Sequence, residues 1–542
     1  MSAGRWHVLT VLSIVAVLLA GSLLALPSYG LAWDEALGDL FFGHRNVDTH
    51  HTSPLDFSRP LPSDGDGRTH PDLFRSPLRT RPWEHYPAMA SLSAHTCNVL
   101  ARGLQWLDPV DAHHLAGVLV LALLLPLLME SARAAWGTVA AAAAGLTLIL
   151  HPRLLAAAWT DLKDIGSAAF ITLALLFCWR GLKDARAGYF LAAGLAGGLA
   201  LATKANVLFL PLPLFLYWLA ARRSLPRLRT PARLALAAAP VISLAVLLLA
   251  WPWVRADPLA RLGQNLGYIF GRGTSGTLMP DLWPLLTAVA SWPLGTLILV
   301  AAGAVAGARA LLRRQASLEG LALLAAALPL ARLSAPGALS FDGIRHALEF
   351  VPAAALLAGA GARVLLSSRR RTATVVVLSL ALLEPGVELA LIHPHEVAHF
   401  NPLVGGPAGA RRLGFPQVED YWATGYRRGL AWIDAHAEPG AAVAAGVAEH
   451  LLFLEGPLRL KPDRVLLRAS SPFRPDPGPE VRQNFFAVAA QRPVYLMYTT
   501  RESWYGPIVL EAERREPIHV EGPPGAPLLK IHRFGPAPAA GP

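Results

Sequence analysis

The chain has 542 residues, 54% of them hydrophobic and only 16% charged, with a mean hydropathy of +0.40, which excludes an ordinary soluble enzyme of this length. The net charge of +11 and pI near 10 come from short basic clusters between apolar runs. That distribution argues against nucleic acid as a partner, which calls for a basic patch or stripe, and for a polytopic membrane protein with membrane lipid around it.

The first apolar run, from His7 to Leu26, is about as long as a bilayer is thick. With Arg5 as its basic flank it resembles a signal peptide, but it is longer than a usual signal core and further apolar runs follow, so an uncleaved anchor is expected. Immediately after it comes PSYGLAWDEALGDLFF, residues 27–42, which sets Asp34 and Glu35 at the membrane surface. Ionised groups there need water, a partner or a substrate, which marks a functional site. The same two acids also suit the first turn of a helix, and both readings stand.

The first outer loop, 27–112, is rich in His, Asp, Pro and aromatic residues, a composition suited to handling a substrate. Residues 87–106 within it are expected to form a helix along the interface. The stretch SDGDGRTHPD, 63–72, lacks the spacing and terminal Glu of an EF-hand and is read as a solvated turn. The loop's histidines show neither HxxxH nor HExxH spacing, so no cofactor is expected and a divalent metal stays a minor option. The two cysteines, Cys97 and Cys178, fall near opposite membrane faces and are not expected to pair.

Apolar runs recur near 113–129, 135–150, 165–179, 187–203, 205–220, 232–253, 284–308, 318–333, 346–362 and 372–391, predicting about eleven spans with the first. Lys204 and Asn206 mark the break within 187–220. Arg and Lys clusters at 180–186, 222–233, 309–314 and 363–371 fall two spans apart, which predicts a cytoplasmic amino terminus and an outer carboxyl terminus.

The second outer loop, 151–166, carries Asp161, Lys163 and Asp164, with Arg153, Trp159 and Lys163 equally suited to anchoring a short amphipathic helix at the interface. Later outer loops supply Lys204, then Arg255 beside Trp251, Asp257 and Arg261, and finally Asp342, Arg345 and His346. A cation in every outer loop runs against the inside bias of Lys and Arg and predicts an anion on that face, phosphate being the natural candidate. Beyond Leu391 the sequence turns Pro-rich with strand-like runs at 493–500 and 527–534, predicting an outer-face α/β domain over 392–542 after a membrane domain over 1–391. The stretch 393–415 is dense in His, Asn and Gly, as a tight surface loop would be. Gly405 and Gly406 there suit either anion-binding backbone N–H groups or a plain turn.

The acid pair after the first span, HPR followed by a KD pair at 163–164, GLALATK at 198–204 and DGIRH at 342–346 together resemble bacterial membrane glycosyltransferases of the GT-C fold. The likeness is to protein O-mannosyltransferases and aminoarabinose-transferase-like proteins, and it covers residues 1 to about 425. This chain has Asp161-Leu162 where members often have Asn-Pro, and His85-Tyr86-Pro87 where they have His-Pro-Pro. The resemblance implies an all-α polytopic protein of the inner membrane with a small α/β domain outside. It also implies a sugar donor carried on a polyprenyl phosphate and a protein, lipid or glycan acceptor. On this reading Asp34 is the general base and Glu35 holds the acceptor or raises its neighbour's pKa. Lys163, Lys204, Arg255 and Arg345 bind the phosphate with help from His346. Asp164 orients Lys163, and Asp161 and Asp342 support the set. A transporter or lipid flippase is the alternative, but it should carry charges near mid-span, whereas these lie at span ends. A sensor or assembly protein needs no acid pair.

Overall fold

The computed structural model describes residues 3–50, 85–271, 279–368, 371–471 and 473–536. The expected turn at 63–72 lies outside them. All eleven apolar runs contain helix. Among the described residues, six helices are long and apolar enough to cross a bilayer: Gly4–Ser28, Pro109–Trp136, Leu162–Asp184, Thr230–Ala250, Leu294–Leu312 and Thr372–Ile392. A seventh arises if Thr138–Ile149 and Pro152–Thr160, bent by 59°, form one broken span. Ala187–Leu201, Ala205–Ala221 and Phe350–Leu366 are shorter apolar helices.

Helix Pro152–Thr160 fills much of the second outer loop, where a short amphipathic helix was expected. Pro152 has no N–H to continue the ladder and forces His151 out of helical geometry, to φ −81° and ψ 110°. The His151 ring then caps the new helix by accepting from the Leu154 N–H at 3.2 Å. The 284–308 run likewise divides, at Pro293, into Trp283–Ala290 and Leu294–Leu312.

The chain divides into two compact units. The first comprises 1–24, 86–93 and 114–416 and holds most of the helices. Its helices meet through small residues, since lipid supplies no hydrophobic drive and close backbone approach must do the work. A Cβ on Gly303 would lie 1.8 Å from the Leu357 carbonyl oxygen, and one on Gly361 2.0 Å from that of Leu299. Helices Leu294–Leu312 and Phe350–Leu366 therefore cross backbone to backbone. Apolar side chains such as Leu234, Val241 and Leu383 stay exposed, as a lipid-facing surface allows.

The second unit comprises 25–85, 94–113 and 417–542. Its sheet has the order β2-β1-β3-β5-β4, with β1 (Ala442–Ala445), β2 (Val465–Arg468), β3 (Val494–Thr499), β4 (His519–Glu521) and β5 (Leu529–Phe534). β1 pairs parallel with β2 and β3, and β5 runs antiparallel to β3 and β4. β1 and β3 are buried at every position, which is why AVAA and VYLMYT read as continuous apolar runs. β3 and β5 are the two strands expected from the sequence. The expected 87–106 helix is α-helical over Pro87–Cys97 and continues as a π-turn over Asn98–Gly103. Cys97 and Cys178 are both free thiols, and burial pushes Cys97 up to about 12.

Candidate functional site

Within the first unit, three separate stretches bring their charges together at one carboxylate. Asp161 caps the helix Leu162–Asp184 by accepting from the Asp164 N–H at 3.2 Å, which fixes the direction of Asp164 in the first turn. Gly166, one turn on, lets the end of the next hairpin approach: its Cβ would stand 3.1 Å from the Thr203 methyl. Lys204 follows and closes an ion pair with the Asp164 carboxylate. Arg345 reaches the same carboxylate at 3.6 Å and binds Asp342 at 3.0 Å. Asp342 adopts φ +57°, a left-handed geometry that short polar side chains tolerate, and thereby folds back under Arg345. Asp164 thus pairs with Lys204 and Arg345. Lys163 is half-buried in the same turn, and Arg255 stands exposed on the short helix Pro252–Ala256, outside this cluster.

Burial, reinforced by the Arg345 and Lys204 charges, lowers the pKa of His346 well below the usual imidazole range. Its carbonyl accepts from Asn206 at 2.9 Å and from Arg332. Arg332 also pairs with Glu349 at 3.1 Å. These last residues form the polar end of a cavity of about 340 Å³ whose remaining walls are apolar, among them Leu175, Phe209, Leu212, Leu328 and Pro329. The polar end of the cavity thus holds the carbonyl of the residue that follows Arg345.

The acid pair belongs to the second unit. Residues 28–33 are clamped by backbone bonds: Gly30 N–H to Thr424 at 2.8 Å, Trp33 N–H to Trp422 at 3.0 Å, and Leu31 N–H to Glu455 at 3.2 Å. Arg428 and Arg427 hold the Ser28 and Tyr29 carbonyls at 2.7 and 3.2 Å. The Trp33 ring packs edge-on against Trp504, with the Arg501 guanidinium 5.1 Å from its centre. The helix that follows opens as a π-turn over Glu35–Asp39, an uncommon geometry often found at functional sites. Buried Glu35 turns back to accept the Ala32 N–H at 2.9 Å, bracing the stretch that leads into the helix. Asp34 is half-buried and makes no side-chain cap bond.

The stretch 393–415 serves the first unit. Asn401 donates to the Val289 and Trp292 carbonyls at 2.9 and 2.7 Å, tying off the end of the helix Trp283–Ala290. Gly405 and Gly406 have φ of +78° and +63°, and their N–H groups bond the Pro402 and Asn401 carbonyls. They make a plain turn and offer no anion cradle.

Residues 109–253 match the family described as dolichyl-phosphate-mannose-protein mannosyltransferase. No curated protein matches. Among solved structures, ArnT from Cupriavidus metallidurans bound to undecaprenyl phosphate aligns over 98% of both chains with a TM-score of 0.54 and 16% identity. The Archaeoglobus fulgidus oligosaccharyltransferase tethered to an acceptor peptide aligns with 91% of this chain and 69% of its own, at a TM-score of 0.51 and 14% identity. The chain has the GT-C fold.

Several residues of this GT-C chain escape a linear reading. Asp39 bonds the His85 ring at 2.8 Å, a buried pair five residues beyond Asp34 with Phe42 stacked on the imidazole. Asn206 meets Glu349 across 143 positions, and Arg332 reaches the same Glu349 from 17 positions before it. Only a charge interrupting an apolar run, as Arg332 and Glu349 do, signals them in sequence.

Proposed function

We propose that this GT-C protein is an inverting glycosyltransferase that moves a sugar from a polyprenyl-phosphate donor to an acceptor hydroxyl at the outer face of the inner membrane. The observation that carries the reading is the apolar cavity of the first unit, whose polar end, Arg332 and Asn206, holds the His346 carbonyl beside Arg345. A prenyl chain suits its walls and a phosphate suits Arg345 and Lys204. ArnT, of the same fold, was solved with undecaprenyl phosphate, which supports a lipid-linked donor.

In the step proposed, the acceptor oxygen attacks the anomeric carbon, the bond from that carbon to the phosphate oxygen breaks, and polyprenyl phosphate leaves as an anion. The acceptor proton passes to Asp34. Glu35 is less suited to that role because one oxygen is committed to the Ala32 N–H and the side chain is buried. Lys204 pairs with Asp164, and Arg345 with Asp164 and Asp342, so it is the N–H donors of the two cations that are assigned to the departing phosphate. Lys163 and Arg255 are assigned to the donor's headgroup at the surface, with Asp161 and Asp342 positioning. The amino terminus is assigned to the cytoplasm and the carboxyl-terminal residues to the outer side, where a protein, lipid or glycan acceptor is met.

The test is to add labelled polyprenyl-phosphate sugar to purified protein with candidate acceptors. Cleavage of the sugar–phosphate bond is expected. Lipid translocation without cleavage would point to a flippase and overturn the reading.

A further inference from the structure

Away from the residues assigned above, the second unit gathers two imidazoles and a thiol from three helices. His44 lies on Leu40–His50, Cys97 ends Pro87–Cys97 and His113 begins Pro109–Trp136. One ligand atom from each lies within 4.8 Å of the others. All three side chains are buried, at 1%, 0% and 1% exposure. The two Nε2 atoms are 3.3 Å apart, with the rings nearly perpendicular at 84°. At that separation the two rings share a hydrogen bond when no ion lies between them. The separation also matches the edge of a tetrahedron with metal–nitrogen bonds of ~2.0–2.1 Å, which is about 3.3–3.4 Å.

We propose that His44, Cys97 and His113 bind a zinc ion that pins the first outer loop to the start of the helix Pro109–Trp136. Two neutral imidazoles and one thiolate are the donor set zinc favours, and three protein atoms leave one tetrahedral position for a water. On binding, the Cys97 sulfur exchanges its proton for the metal and one proton is released to solvent. The histidines are 69 positions apart, so no local HxxxH spacing advertises them. The ion would join a helix near the start of the first outer loop to two near its end, giving it a role in holding that loop.

The experiment uses the full chain, purified in detergent without a polyhistidine tag, supplied with zinc and dialysed against zinc-free buffer. About one zinc per chain should remain. X-ray absorption at the zinc edge should show one sulfur at ~2.3 Å and nitrogen at ~2.0–2.1 Å. Cys97→Ser should abolish the sulfur signal while Cys178→Ser leaves it unchanged. Stripping the metal should lower the thermal midpoint of the wild type and leave that of His113→Gln unmoved. Absence of retained zinc, or a shell without sulfur in the wild type, overturns the proposal even if the variants fail to fold. Neither result bears on whether the chain transfers sugar.

Discussion

Lys204 and Arg345 converge on the single carboxylate of Asp164, which is 1% exposed. Removing Asp164 takes away the carboxylate that Lys204 pairs with, while Arg345 keeps Asp342, so the loss falls on a buried cation. Asp164→Ala should therefore destabilise the protein by about 3–5 kcal/mol, seen as a lower thermal midpoint in detergent. Lys204→Gln keeps a hydrogen-bond donor for Asp164. It should fold and show its defect as a raised KM for the lipid donor.

Asp34 is assigned the proton of the acceptor hydroxyl, so Asp34→Asn should show its defect in the transfer step. It should lower kcat by about 10²- to 10⁴-fold. Glu35→Ala, which loses the bond to Ala32, should instead cost about 1 kcal/mol of stability. Parallel melting curves and single-turnover assays distinguish the two, and a fully active Asp34→Asn would remove the base.

The cavity makes a prediction about chain length. Leu328→Trp places bulk in its apolar wall. The variant should raise KM for a long prenyl donor while sparing a short-chain analogue, because only the long tail enters the slot. Equal effects on both would place the tail elsewhere.

Packing in the helical unit predicts a second kind of loss. Any side chain at Gly303 meets the Leu357 carbonyl, a backbone atom that cannot turn aside. Gly303→Ala should cost about 1–3 kcal/mol by overpacking, read from the thermal midpoint. Gly4→Ala, with nothing within 4 Å of its Cβ, is the control.

Acid should weaken the second unit. Burial, opposed by Glu513 and aided by Lys530 and Arg515, lowers His532 to about 4 from an ordinary 6.5, and Tyr498 sits 2.8 Å from its ring. A ring that binds its proton more weakly when folded disfavours the folded state as it is forced to charge. Stability should thus fall as pH drops from about 6.5 towards 4. Asp108 adds to this at lower pH: although burial raises it, Arg459, at 2.7 and 2.8 Å, and Arg427 hold it below the usual carboxylate range. His532→Gln should flatten the upper part of the profile, measured by unfolding midpoints across pH.

The apolar runs announced their helices because hydrocarbon cannot satisfy backbone N–H and C=O groups, and a helix satisfies them within one segment. The break at Lys204 and Asn206 was legible for the same reason, as were β3 and β5 from their runs of apolar and β-favouring residues. The bend at His151 was not: Pro152 signals an interruption, yet nothing local says that helix resumes at once at 59°. Glu35 and Asp34 look alike in sequence, and only the Ala32 N–H and the burial tell the bonded, buried acid from the half-buried one.

The sequence by itself determined a membrane protein of many helices, charged at their ends, with a small domain of mixed structure following. Those properties depend on runs of neighbouring residues and on the solvent around them. The tertiary structure alone decided that Asp164 serves Lys204 and Arg345, that Asp39 meets His85, and that His44, Cys97 and His113 share one pocket. Such meetings depend on how helices rotate and cross. Successive helical residues point about 100° apart, so linear spacing cannot state which side chains face each other across tens of positions.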